Sequence, residues 1–286
     1  MTVSPEVIAE HSIDRAGRRR LPVLTAVALA VAAAVAVAVV FGSHIAPHDP
    51  DTQNLILGAS GRSAEHWLGT DDLGRDVFSR MIVGARAALI GPVVVALLTL
   101  LVGAPLGLMA GYYGGRVDGA ISRGADLIWA LPALLVAIVV LGVVDGGYWL
   151  TVAVVAFLSL PHMIRLSRSA TLVQARLSYV DAVRTLGLSG ARIMARHVFP
   201  NVSPTIVATV LLDFVGALIV FSSLAFLGIG FEPGSADWGT MLASGKELLF
   251  VNPWLLLGPG IAIVLTAASV TLLGDWAYER LSERDE

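Results

Sequence analysis

The chain has 286 residues, of which 56% are hydrophobic and only 14% charged, with a mean hydropathy of +0.78. A soluble domain carries about 25% charged residues, so this balance excludes an ordinary globular protein and implies an integral membrane protein, whose apolar runs of about 20 residues, taken below, make it all-α. With no cysteine there is neither a disulfide framework nor a thiolate metal site nor a Cys nucleophile, and a net charge of −3 argues against nucleic-acid binding.

In chain order, residues 1–22 form a basic tail ending in "RAGRRR". The apolar run 23–41 follows. It is longer than a signal-peptide core and lacks a clean small-x-small cleavage site, so it reads as a retained anchor. Residues 42–86 are polar until "HWLGTDDLGRDVFSRMIVGARAAL" turns from loop into an amphipathic helix that feeds a second span, 87–110. Gly103, Gly107, Gly111 and Gly115, each four residues apart, are expected to lay one glycine face along a helix and admit another backbone closely. Further spans are expected at 125–144, 150–169, 203–230 and 253–276, six in all, each able to cross about 30 Å of hydrocarbon. Pro105, Pro132, Pro161 and Pro259 fall near or inside these runs and are read as kinks rather than ends. The transmembrane domain then covers 23–276, with a polar segment at 170–202 and a short tail at 277–286.

Arginine placement orients the spans. With the N-terminus inside, 14 of the 19 Lys and Arg residues lie in inner segments and 5 in outer ones, as the positive-inside rule requires. Both termini and the 170–202 segment are then cytoplasmic, while 42–86 and the loop 231–252 are extracytoplasmic. Within the spans, Asp126 and Asp213 are the acids in lipid-depth positions and are expected to face the bundle interior or a wet path. The sequence names no partner for either, which leaves a proton relay, a substrate contact or an interhelical hydrogen bond open.

Catalytic motifs are weak. "GTMLASGKE" has five residues between its glycines and Glu247 after Lys246, so it is not a nucleotide-binding loop. "GLSG" around Ser189 matches an intramembrane serine-protease nucleophile only in letters, because arginines at 184 and 192 place it outside the membrane and His197 lies on the same loop. His44 and His48 are four apart, but Pro47 and Pro50 oppose the helix that would bring them together, so no metal is expected there.

The segment "YVDAVRTLGLSGARIMARHVFPN" resembles the cytoplasmic signature of ABC importer permeases: Glu-Ala-Ala, three residues, Gly, and about a dozen more to Pro. Here the pattern falls on Asp181, Ala182 and Val183, then Arg184, Thr185 and Leu186, then Gly187, and finally Pro200. Asp181 replaces the usual Glu and keeps its charge; Val183 replaces the second Ala. The stretches "HWLGTDDLGRDVFSRMIVGARAAL", "GYYGGRVDGAISRGADLIWALPALLVAIV" and "SSLAFLGIGFEPGSADWGTML" look like the second, C-type permease subunit of the dipeptide/oligopeptide/nickel branch. Phe221 departs from that branch near a position where an acid is common. The resemblance implies six transmembrane helices of the type I importer kind. It also implies a homologous second permease, cytoplasmic ATPase subunits that hold ATP and Mg, an extracytoplasmic substrate-binding protein, and a place in the bacterial cytoplasmic membrane. It implies no cofactor and no catalysis in this chain, and a cargo of short peptides, with nickel, haem or another small solute as alternatives. Asp181 is then expected to cap its helix or to meet a basic group on the ATPase. A secondary transporter would show inverted repeats, and neither half of the sequence duplicates the other.

Overall fold

A computed structural model describes residues 23–144 and 146–282. The basic tail 1–22 and residues 283–286 lie outside the described residues. The regular structure of the described residues is helical, apart from one isolated bridge between Thr70 and Asp76. The elements are α1 (Val23–Ile45), α2 (Val77–Leu98), α3 (Ala104–Tyr113), α4 (Gly115–Trp129), α5 (Ala133–Val143), α6 (Gly147–Gln174), α7 (Ser178–Thr185), α8 (Gly190–Ile193), α9 (Phe199–Phe226), α10 (Trp238–Glu247) and α11 (Trp254–Ser282). Among the described residues, five helical stretches are long and apolar enough to cross a membrane, and six if the bent pair α4 and α5 counts as one span.

Each boundary has a local cause. Asp76 opens α2 by accepting from the Ser79 N–H at 2.7 Å, satisfying one of the orphan donors of the first turn. A π-helical turn over Thr99–Gly103 joins α2 to α3 without a break. Pro105 lies just beyond it, and the wider turn absorbs the missing proline N–H. Pro161 and Pro259 are accommodated inside α6 and α11.

The third span needs correcting. Residues 125–144 do not form one kinked helix: α4 stops at Trp129, α5 begins at Ala133, and their axes differ by 73°. Pro132 marks a break here: the residue before a proline is pushed out of the helical region, which stops α4 short of it, and Pro132 itself stands in extended conformation as the N-cap of α5. The 11 residues of α5 are too few to cross alone, while α4 carries Arg116, Asp118, Arg123 and Asp126, of which Asp118 and Asp126 meet arginines of α6.

Backbone-to-backbone packing fixes α3 on α6. A Cβ on Gly103 would stand 2.9 Å from the Met163 side chain, one on Gly111 2.7 Å from the Arg168 carbonyl, and one on Gly107 would collide with Ser167 Oγ. Without a hydrophobic effect between lipid-bathed helices, such close approach is what holds them. Gly115 does not belong to this row. It opens α4 after the chain has turned at Gly114, with φ +52° and nothing near its Cβ position, so its role is a backbone one.

Candidate functional site

The polar segment between α6 and α9 is built as a stiff turn with one buried face. On α7, Val180 is fully buried and Val183 half-buried, three residues apart on one side. Ile193 and Val198, from α8 and the π-helical turn after it, are also fully buried, and together with Val180 they pack on Ala104, Leu108 and Met163 of α3 and α6. The hydroxyl of Tyr179 donates toward Gln174 Oε1 at 3.1 Å and the His197 carbonyl at 3.1 Å, while Asn201 Nδ2 donates to Tyr179 Oη at 3.0 Å. These bonds tie the end of α6 to the start of α9 across the base of the turn.

The opposite face points away from the bundle. Asp181, Ala182, Arg184, Thr185, Leu186 and Gly187 are all exposed, and Leu186 is 77% exposed although apolar. Asp181 does not cap α7. Leu177 holds the cap position without a side-chain bond, and the Asp181 carboxylate accepts instead from Arg184 Nη1 at 3.0 Å. Arg184 also lies over the Tyr112 ring at 5.8 Å. Gly187 adopts φ +80°, which ends α7 in a conformation that L side chains rarely take, and the space around it is open. Pro200 is the second residue of α9, where its missing N–H costs nothing.

A second polar arrangement runs along α6. His162, Arg165 and Arg168 repeat every three residues, and each meets an acid from another helix. His162 Nδ1 lies 2.6 Å from Asp213 Oδ1 on α9. Arg165 pairs with Asp126 on α4 and stacks 4.1 Å over the Trp129 ring. Arg168 grips Asp118 with two nitrogens, one at 2.6 Å, and Ser122 supports the same carboxylate at 2.9 Å. Asp126 and Asp213 thus sit in pairs, one exposed and one buried, and are not brought together. Asp213 Oδ2 is buried without a hydrogen-bond partner.

At the other end of the bundle, polar residues are turned inward. Asp71 accepts from Arg75 Nε at 2.7 Å and from the backbone N–H groups of Leu73 and Arg75. Arg75 and Arg80 both donate to the Gly234 carbonyl, at 3.1 and 2.6 Å, and Arg80 also reaches the Pro50 carbonyl at 2.9 Å. Asn252 Nδ2 donates to the Leu68 and Thr70 carbonyls at 2.9 and 3.1 Å. The loops after α9 and after α10 are thereby clamped to the start of α2 and the segment before it. Asp237 caps α10 through Gly239 and Thr240, yet burial pushes its carboxyl up to about 6 against the help of those two N–H groups. Phe221 is core: it is 2% exposed and packs edge-on to Tyr148 and Phe231, with centroids 5.8 and 6.1 Å away.

Sequence reasoning missed the partners of Asp126 and Asp213, the role of Tyr179 and Asn201, and the Arg75–Arg80 clamp. One signal was available for the first: three basic residues at helical spacing in an apolar span require acids from elsewhere.

A family described as "binding-protein-dependent transport system inner membrane component" matches residues 103–284. The chain is similar to a glutathione transport system permease protein of Pectobacterium atrosepticum, 34% identical over 269 residues, covering 93% of this chain and 89% of that one. It is also similar to a di/tripeptide transport system permease protein of Pseudomonas aeruginosa, 35% identical over 251 residues, 86% of this chain and 83% of the other. An oligopeptide transport system permease protein of Bacillus subtilis is 33% identical over 267 residues, 93% and 88% of the two chains. Among solved structures, the inward-facing MetNI methionine ABC transporter matches with a TM-score of 0.58 at 15% identity, over 70% of this chain and 95% of that one.

Proposed function

The chain belongs to the family of binding-protein-dependent transport system inner membrane components, and on that premise we propose that it forms half of the translocation path of an ATP-driven importer of short peptides. It is a multi-pass, non-catalytic subunit of the inner membrane. A homologous second permease completes the path, an extracytoplasmic binding protein delivers cargo, and cytoplasmic ATPase subunits, which hold the ATP and Mg, drive the cycle. Both termini face the cytoplasm in this reading, with the segment 42–86 and the loop 231–252 outside.

The observation that carries the proposal is the exposed strip Asp181–Gly187 on a buried footing. Leu186 projects from a face whose underside is locked to α3 and α6, so the strip is presented on a rigid footing rather than as a loose loop. The strip offers an ATPase a short helix with one carboxylate, one guanidinium and one projecting leucine. Movement of the ATPases on binding ATP is then delivered through Val180, Ile193 and Val198 to the bundle, shifting it between inward- and outward-open states.

The test is co-purification followed by uptake. The four kinds of subunit, reconstituted in vesicles, are expected to take up labelled di- and oligopeptides only with ATP, and the isolated chain is expected to hydrolyse none. Peptide uptake that survives without ATP would refute the reading. Orientation is tested separately, since the chain has no native cysteine. Ser60→Cys should react with an impermeant maleimide on intact cells and Ser189→Cys should not.

A further inference from the structure

Three ligand-bearing side chains from separate stretches converge beside the start of α2. His48 follows the end of α1, His66 lies in the loop beyond, and Asp76 caps α2. Among the described residues they form the one group of three His, Asp or Glu side chains whose ligand atoms all lie within 4.8 Å of one another. His66 Nδ1 is 2.9 Å from Asp76 Oδ1, His48 Nδ1 is 3.8 Å from Asp76 Oδ2, and the two imidazole centroids are 5.0 Å apart. Their side chains are 3% exposed at Asp76, 15% at His66 and 37% at His48, so the cluster is closed on one side and open to solvent on the other.

Two features separate this group from an ordinary hydrogen-bond network. His48 Nδ1 is buried and has no hydrogen-bond partner, although it is directed at the carboxylate, and native structures seldom leave such an atom unsatisfied. The ligands are also held in advance. Asp76 Oδ2 is fixed by the Ser79 N–H at 2.7 Å, which leaves Oδ1 facing His66, and the His48 backbone N–H donates to Ser79 Oγ at 3.0 Å. One helix cap therefore positions both ends of the cluster.

We propose that His48, His66 and Asp76 bind one divalent late first-row transition ion, of which Zn²⁺ is the reference. Two imidazole nitrogens and one carboxylate oxygen suit Zn²⁺, Co²⁺, Ni²⁺ or Cu²⁺ and disfavour Mg²⁺ and Ca²⁺, which take oxygen ligands. Ligand atoms about 2.0–2.2 Å from an ion lie about 3.0–3.5 Å from one another. The observed 2.9 and 3.8 Å bracket that range, and a small rotation of the half-exposed His48 ring closes the difference. Because the carboxylate oxygen accepts from His66 Nδ1, that nitrogen carries a proton without the ion; the ion takes its place and the proton leaves to solvent. Water completes the coordination on the His48 side. The ion would pin the segment after α1 and the loop around His66 to the first turn of α2, beside the Arg75–Arg80 clamp. His44, which the sequence pairs with His48 by spacing, instead lies 3.2 Å from Ser43 Oγ and takes no part.

The experiment uses the full chain in lipid nanodiscs, purified through a histidine-free tag. Zn²⁺ binding is measured by titration calorimetry, and Co²⁺ by its visible absorption. One ion per chain is expected, with Mg²⁺ not competing. Loss of even an outer-shell partner costs a metal site about 10–100-fold in affinity, so His48→Ala and His66→Ala should each weaken Zn²⁺ binding by about 100-fold or more. His44→Ala should change nothing. His48→Ala removes no hydrogen bond from the side chain and leaves the α2 cap intact, so it remains a fair test if His66→Ala fails to fold. Absence of saturable Zn²⁺ binding in the unaltered chain overturns the proposal. So does unchanged affinity in His48→Ala.

Discussion

Two polar regions at opposite ends of the bundle use the same residue types in opposite ways. In the segment between α1 and α2 and the first turn of α2, Asp71, Arg75, Asp76 and Arg80 are each less than 10% exposed and spend their bonds within the chain. In the α7–α8 turn, the Asp181 and Arg184 side chains are 64% and 52% exposed and pair with each other, with Arg184 also over the Tyr112 ring. Buried, fully partnered charge holds a loop in place; exposed charge on a rigid footing is free to meet another molecule. Charge content alone does not distinguish them, since both segments read as polar interruptions of an apolar chain. Burial does.

The contrast is broken most severely at Asp71. Asp71→Ala leaves Arg75 and Arg80 without their carboxylate in a buried site, a change expected to cost about 3–5 kcal/mol and visible as a large fall in melting temperature in detergent. Ranked next is Asp237. Its carboxyl, pushed up to about 6 in the fold from a reference value of 3.8, binds its proton more tightly when folded. Stability from this group is therefore greatest below the lower value and is lost as pH rises through about 6. Asp237→Asn keeps a capping residue and removes the charge, so it should flatten that part of the melting-temperature profile and stabilise the chain by about 1–3 kcal/mol at neutral pH. Gly107→Leu is expected to cost a similar or smaller amount, about 1–3 kcal/mol, by forcing α3 off α6. It sharpens the comparison by loosening the seam on which the α7–α8 turn stands, so coupled uptake should fall along with stability. The smallest effect on stability belongs to Arg184→Ala, about 0–1 kcal/mol for an exposed pair. Uptake per ATP hydrolysed should nevertheless drop, because on the proposed seating the lost guanidinium would face the ATPase.

The spans were legible because about 20 consecutive apolar residues have few alternatives, and the polar turn because its spacing matched a known signature. The break at Pro132 was not: a hydropathy window averages the charged end of α4 with the apolar α5 and sees one run. The acid–base pairs escaped because their members are 39 to 51 positions apart in the chain, and pairing at that range depends on which helices become neighbours. Gly187 was legible as the glycine of the signature, but its reason, a left-handed backbone in open space, belongs to the turn geometry.

The central claim is that the exposed strip of the α7–α8 turn seats on the ATPase. The most direct measurement places a photo-crosslinking maleimide on Leu186→Cys, in a chain with no other cysteine, within the assembled transporter in vesicles. The account expects a cross-link to the ATPase subunit, absent when the same probe is placed at Ser60→Cys on the far side. Illumination that leaves the ATPase unlabelled from position 186, in complexes that still import peptide with ATP, would contradict it.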